Sequence, residues 1–181
     1  MKFSEFKYER PNFDQYKATM TSLIDQFKVA SSASEQLNIV TEINETRNHI
    51  ETMATLASIR HSIDTRDEFY DAEQNYWDEY GPLYEEINSL FYDAVVSSPY
   101  RNELEEKLSK QFFTILDYRL KAFSPEIIAD LQEENKLSSQ YTKLLASAKI
   151  PFDGEERTLP GMGKYLLSED RQVREEASVA K

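Results

Sequence analysis

FSPEIIADLQEENKLSSQYTKLLASAKIPFDGEERTL, residues Phe123 to Leu159, reads as a capped amphipathic helix, a short strand, a tight turn and a second strand. Ser124 is placed to accept from the free amides of the first turn, and Pro125 sits where a missing N–H costs nothing. Ile127, Ile128, Leu131, Leu137, Tyr141, Leu144 and Leu145 recur at helical spacing. Asp153-Gly154 lies between Ile150-Pro151-Phe152 and Arg157-Thr158-Leu159 and predicts a hairpin, with a four-residue loop Asp153–Glu156 and Pro151 as its weak points. A long helix with a hairpin behind it predicts an all-α fold carrying a small β appendage.

Working back from this stretch, helical periodicity fills the chain. After an extended leader, Asn12 and Gln15 have the spacing of a reciprocal cap, and Phe13, Tyr16, Met20, Leu23, Ile24 and Phe27 form one face. Ser31–Ser34 breaks that helix, and Ser32 with Glu35 opens a longer one. Its stripe is Leu37, Val40, Ile43, Ile50, Met53, Ala54, Ala57 and Ile63, close to a seven-residue repeat that suits side-by-side packing. Thr65 with Glu68 makes another capping box. The third helix carries Phe69, Tyr76, Trp77 and Tyr80, and Gly81-Pro82 predicts a kink or a new helix. Leu83, Ile87, Leu90, Phe91, Ala94 and Val95 continue its apolar face. Arg101 to Phe123 reads as a helix bent near Ser109, its face formed by Leu104, Leu108, Phe112, Ile115, Leu116 and Leu120. Ser168 opens a last helix that runs to Lys181 with no stop signal, which suits a helix cut in mid-pattern. The expected organisation is a helical lobe over 1–149, a hairpin over 150–160, and over 161–181 a linker with the start of a further helix. The whole is an up-and-down bundle of long antiparallel helices.

Composition narrows the function. The 181 residues are 40% hydrophobic, enough for one real core, and hold 4 Gly and 6 Pro. A net charge of −12 opposes nucleic acid and anionic membranes as partners, since both are held by Lys and Arg. With no cysteine, disulfides, thiolate metal sites and a cysteine nucleophile are excluded. MKFSEFKYERP lacks the apolar core of a secretory signal, and no apolar run reaches membrane-spanning length, so a cytoplasmic protein is the expectation.

A search for chemistry finds little. His-Glu-x-x-His is absent, and the two histidines, His49 and His61, stand roughly three helical turns apart. Neither shares a metal with the other on a continuous helix. Thr46 and Ser58 stand where a di-iron bundle needs glutamate. Gly161-Met162-Gly163 reads as a flexible joint. The one notable concentration is DEFYDAEQNYWDEY, Asp67 to Tyr80. Asp67, Glu68, Asp71, Asp78 and Glu79 read as a solvated face, with cation binding as the sharper alternative. Tyr70, Tyr76, Trp77 and Tyr80 are candidates to line a substrate groove, against the plainer reading that they are core. Arg60 and His61 with Asp64, Arg66 and Asp67 read as ion pairs that tie a helix turn.

The Phe123–Leu159 stretch, together with ASIRHSIDTRDEFYDAEQNYWDEYGPLYEE (Ala57–Glu86) and FSEFKYERP (Phe3–Pro11), resembles the N-terminal lobe of oligoendopeptidase F-type zinc metallopeptidases, a thimet oligopeptidase-like family. The resemblance implies a helical lobe that faces a zinc-bearing catalytic lobe across a channel for unstructured oligopeptides. It implies zinc as the cofactor of the full-length parent and none bound by this chain, because no catalytic residue of the family has a counterpart here. The expected function is therefore the channel wall of a peptide-hydrolysing enzyme, inactive by itself and prone to self-association through uncovered apolar surface. The alternative is a freestanding helical module that binds peptides or proteins without catalysis.

Overall fold

In the computed structural model, residues 3–181 are described, Ser4 by its backbone alone. Eight helices and one two-stranded sheet follow in order: α1 (Phe13–Val29), α2 (Ala33–Ile63), α3 (Glu68–Val96), α4 (Arg101–Leu108), α5 (Lys110–Ala122), α6 (Ile128–Ala146), β1 (Ile150–Phe152), β2 (Glu155–Arg157), α7 (Gly163–Leu166) and α8 (Arg171–Ala180). The all-α expectation holds, with the hairpin as its appendage. Two compact units are formed, Met1–Asn135 and Lys136–Lys181.

In the first unit, α1, α2, α3 and α5 pack around a core that includes Met20, Phe27, Ile43, Phe91, Val95 and Phe113. The N-cap half of each expected box is present at the first two helices: Asn12 Oδ1 accepts from Gln15 N at 2.9 Å and Ser32 Oγ from Glu35 N at 3.2 Å. Glu35 reaches Ser31 N and its hydroxyl rather than Ser32 N, so the box closes one residue early. At α3 the expected box of Thr65 and Glu68 gives way to Asp67, whose Oδ1 accepts from Phe69 N and Tyr70 N. A carboxylate at the positive end of the helix dipole is the stronger cap. Buried polar groups lock the ends together. Gln36 Nε2 donates to Phe27 O at 3.0 Å, and Ser98 Oγ donates to Gln36 Oε1 at 2.6 Å, joining α1, α2 and the end of α3.

Several stripe residues fall outside the core, among them Phe69 and the later apolar residues of α6, and three have a geometric reason within the first unit. Ile63 is exposed because it is the last residue of α2, and Leu90 faces out beside the buried Phe91. Ile115 is exposed while Phe113 and Leu116 are buried, because Ser109 breaks the helix outright. Its φ of 82° ends α4 and restarts α5 at Lys110, which resets the phase of the apolar face. In contrast, α3 runs through Gly81-Pro82 without restarting. Proline supplies no N–H to the carbonyl one turn back. Asn135 Nδ2 donates to Asp78 O at 3.2 Å instead, and Gln132 Nε2 to Glu79 O at 2.7 Å. The Asn135 carboxamide of α6 thus satisfies the one carbonyl that the proline leaves open, and Gln132 adds a bond to the carbonyl beside it.

The second unit has its own small core of Ile150, Met162 and Ala177, flanked by Phe152, Leu159, Tyr165 and Leu166. The hairpin turn is two residues rather than four. Asp153 (φ 54°) and Gly154 (φ 74°) form it, and β2 begins at Glu155, with Ile150 opposite Arg157. Two successive positive φ angles match the right-handed twist of the strands, which a longer loop would not need. Gly161-Met162-Gly163 is an ordered helical turn that buries Met162 instead of a flexible joint. Asp170, not Ser168, caps α8 by accepting from Gln172 N at 2.8 Å.

Candidate functional site

The leader and the first half of α3 form the most elaborate polar and aromatic cluster in the first unit. Tyr8 and Arg10 stand two residues apart in the leader, which has no regular secondary structure there. Both reach Glu73, which is buried on α3. Tyr8 Oη donates to Glu73 Oε2 at 2.5 Å, Arg10 Nε to Oε2 at 2.9 Å and Arg10 Nη2 to Oε1 at 2.6 Å. Burial pushes the Glu73 carboxyl up, but the hydrogen bonds from Arg10 and Tyr8 outweigh it and hold the group below the ordinary glutamate range. Arg10 is raised by the same bond to Glu73, and the Tyr8 hydroxyl is pushed up by burial first and by Glu73 second. A carboxylate so fully occupied does not serve as a general base.

The aromatic candidates surround this clamp. Trp77 Nε1 donates to Tyr8 Oη at 3.2 Å. Tyr76 Oη donates to Pro11 O at 3.1 Å and lies 3.1 Å from Tyr84 Oη. Arg10 sits over the Tyr76 ring, 4.9 Å from its centroid. Tyr70 Oη accepts from Arg60 Nη1 at 2.6 Å, and Arg60 also donates to Phe6 O. Tyr80 stacks on Tyr76 at 4.5 Å and meets Phe13 edge-on at 5.4 Å. Among the described residues its hydroxyl has no hydrogen-bond partner. Tyr76, Trp77 and Tyr80 are half-buried against the main core. The structure therefore brings Tyr76, Trp77 and Tyr80 together and sets Tyr70 beside Arg60. Sequence reading missed Glu73, Tyr8 and Arg10; the Tyr-x-Arg of the leader was the available signal.

The acidic run is not a uniform solvated face. Asp67, Glu68 and Glu79 are exposed, but Asp78 is buried, with Oδ1 accepting from Gln74 Nε2 at 2.8 Å. The helix-turn ties match expectation only in part. Arg66 pairs with Asp64 at 3.2 Å, while buried His61 faces Asp71 across 3.3 Å and Arg60 turns to Tyr70 and the leader. His49 is exposed at a groove lined by Asn12, Gln15, Tyr16, Thr46 and Ile50. Both histidines lie on the unbroken α2. Among the described residues no group of three or more His, Asp or Glu side chains is placed to hold a metal ion, so the residues present do not fit a zinc site. No described helix is long and apolar enough to cross a membrane.

The sequence profile of the peptidase M3 N-terminal domain matches residues 3–123. Three solved structures share the fold across 99% of this chain, each with a TM-score of 0.96. One is described as an oligoendopeptidase F, from crystals grown by microfluidic seeding, at 49% identity with 32% of its chain covered. Another is Pz peptidase A with an inhibitor, at 50% identity and 32% coverage, and a third is described as an oligoendopeptidase F from Bacillus anthracis strain Ames, at 44% and 33%. No curated protein sequence matches. The chain spans about a third of the length of the solved chains it resembles. With a matching profile over most of its length and that fold throughout, the chain belongs to the peptidase M3 N-terminal domain family.

Proposed function

We propose that this chain forms one wall of the substrate channel of a zinc-dependent oligopeptidase that hydrolyses short, unstructured peptides in the cytoplasm, and that it supplies no catalytic group. The observation that carries this reading is the match of 99% of the chain to about a third of chains described as oligoendopeptidase F and Pz peptidase A. The parent enzyme's zinc would be held outside these 181 residues, whose two histidines sit on one helix and do not converge. The chain's part is shape: Glu73, Tyr8 and Arg10 stiffen the leader against α3, and Tyr70, Tyr76 and Trp77 back the wall. Tyr80, whose hydroxyl is uncommitted, is the residue assigned to the substrate side.

The test is direct. A pure, mass-verified sample of the 181 residues should neither cleave an internally quenched peptide nor retain stoichiometric zinc by elemental analysis. Hydrolysis that a chelator abolishes would overturn the reading. The same sample should self-associate in sedimentation despite its net charge of −12, through apolar surface that another part of the enzyme would cover.

A further inference from the structure

Helix α6 is 19 residues long and has no buried residue. Its apolar side chains divide between two sides. At about 100° per residue, Ile128 and Leu131 share the side of Asn135, which faces Asp78 of α3, whereas Leu137, Tyr141 and Leu144 cluster roughly opposite. Ile128 and Leu131 are half-buried. Leu137, Tyr141 and Leu144 are 55%, 62% and 67% exposed. A single neighbour cannot cover both sides, so the later half of the helix is patterned for a second partner.

We infer that the Leu137–Tyr141–Leu144 face of α6 is a docking surface for apolar side chains of the remaining two thirds of the peptidase. The inference rests on the proposed role as part of such an enzyme. Two observations select this occupant. The whole fold, α6 included, recurs at a TM-score of 0.96 within chains three times as long, so a large body of polypeptide accompanies this helix there. A second copy of the chain would bring another −12 of charge against the first, which opposes a homodimer as the permanent cover.

The chain has no cysteine, so a single thiol reports on one position. Leu144→Cys is made in the 181-residue chain and in a chimera where these residues replace the superposing third of the Bacillus anthracis oligoendopeptidase F, its own cysteines changed to serine. Exposed Glu106→Cys is the control in both. Maleimide labelling of Leu144→Cys should be at least about tenfold slower in the chimera, because attack needs an accessible thiolate, with the control unchanged. Equal labelling in both proteins overturns the proposal. So does a thiol that stays freely labelled in the chimera while protection in the short chain rises with its concentration, which would make a second copy the occupant. Peptide hydrolysis by the chimera is a separate readout. Hydrolysis with an unprotected thiol removes the docking surface and leaves the channel-wall role, and protection without hydrolysis does the reverse. Should the chimera fail to fold, a cysteine at the position superposing on Leu144 in the intact Bacillus anthracis protein gives the same measurement, and a freely labelled thiol there overturns the proposal.

Discussion

Glu73→Ala removes the acceptor of three hydrogen bonds at once and leaves Tyr8 and Arg10 facing a cavity. The hydrogen bond from Tyr8 to a charged acceptor contributes on the order of 1.5–3 kcal/mol. Breaking a fully buried ion pair costs about 3–5 kcal/mol, because a charge is stranded. Here the stranded partner is Arg10, whose side chain is 49% exposed and recovers its hydration, so its share falls to the ~0–1 kcal/mol of a surface pair. The expected loss is therefore about 2–3 kcal/mol, or a drop of roughly 1–1.5 M in the urea midpoint for an m value near 2 kcal/mol/M. Trp77, the single tryptophan, donates to Tyr8 and gives the fluorescence signal for the melt. A double-mutant cycle with Tyr8→Phe should return a coupling of at least about 1 kcal/mol. The pH dependence has a definite sign. Glu73 titrates below its unfolded value, so its stabilisation is full above the ordinary glutamate pKa and is lost as pH falls through the folded one. The gap between wild type and variant should then close below about pH 4. A midpoint shift worth under about 0.5 kcal/mol at pH 7, or additive single variants in the cycle, would refute the clamp as the link between leader and α3.

Asn135→Ala should cost about 1 kcal/mol, one hydrogen bond to a carbonyl left open by Pro82. In a Pro82→Ala background that cost should shrink, since a helical N–H then competes for Asp78 O; equal costs in both backgrounds by urea melts would count against the brace. Ser109→Gly should stabilise by about 1 kcal/mol. It relieves a φ of 82° with ψ 150°, a region nearly reserved for glycine, and loses only the few tenths of a kcal/mol of the Ser109 cap on Phe112 N. A destabilised variant in a thermal melt would show that the cap outweighs the strain. Gly154→Ala should destabilise the hairpin by about 1 kcal/mol through its φ of 74° alone, as a β-carbon there meets nothing within 4 Å. Faster amide exchange at Ile150 and Arg157 is the readout.

The helices, the caps of α1 and α2 and the hairpin were legible in the chain because each is set by neighbours a few residues away, whereas Asp67 and Asp170 took the caps expected of Thr65 and Ser168. Apolar residues at helical spacing mark α1, α2 and α6, Asn12 and Ser32 start α1 and α2 where they should, and Asp153-Gly154 marks the turn though not its two-residue length. The family resemblance rested on that same local order, and the matching profile and folds agree with it. Which carboxylate in the acidic run is buried was not legible. Glu73 and the exposed Glu68 sit in one polar stretch, and only the arrival of Tyr8 and Arg10 from more than sixty residues away tells them apart. The phase of α5 was likewise hidden, since a positive φ at Ser109 is a choice between cap and strain that packing settles. So was the passage of α3 through Pro82, whose open carbonyl is met by a carboxamide from α6. Sequence thus determined the elements, where hydrogen bonds close within a turn, and the family, where their order repeats. Tertiary structure decided the clamp, the brace and the outward face of α6, because a buried charge or an uncovered side is defined by what lies opposite it in space.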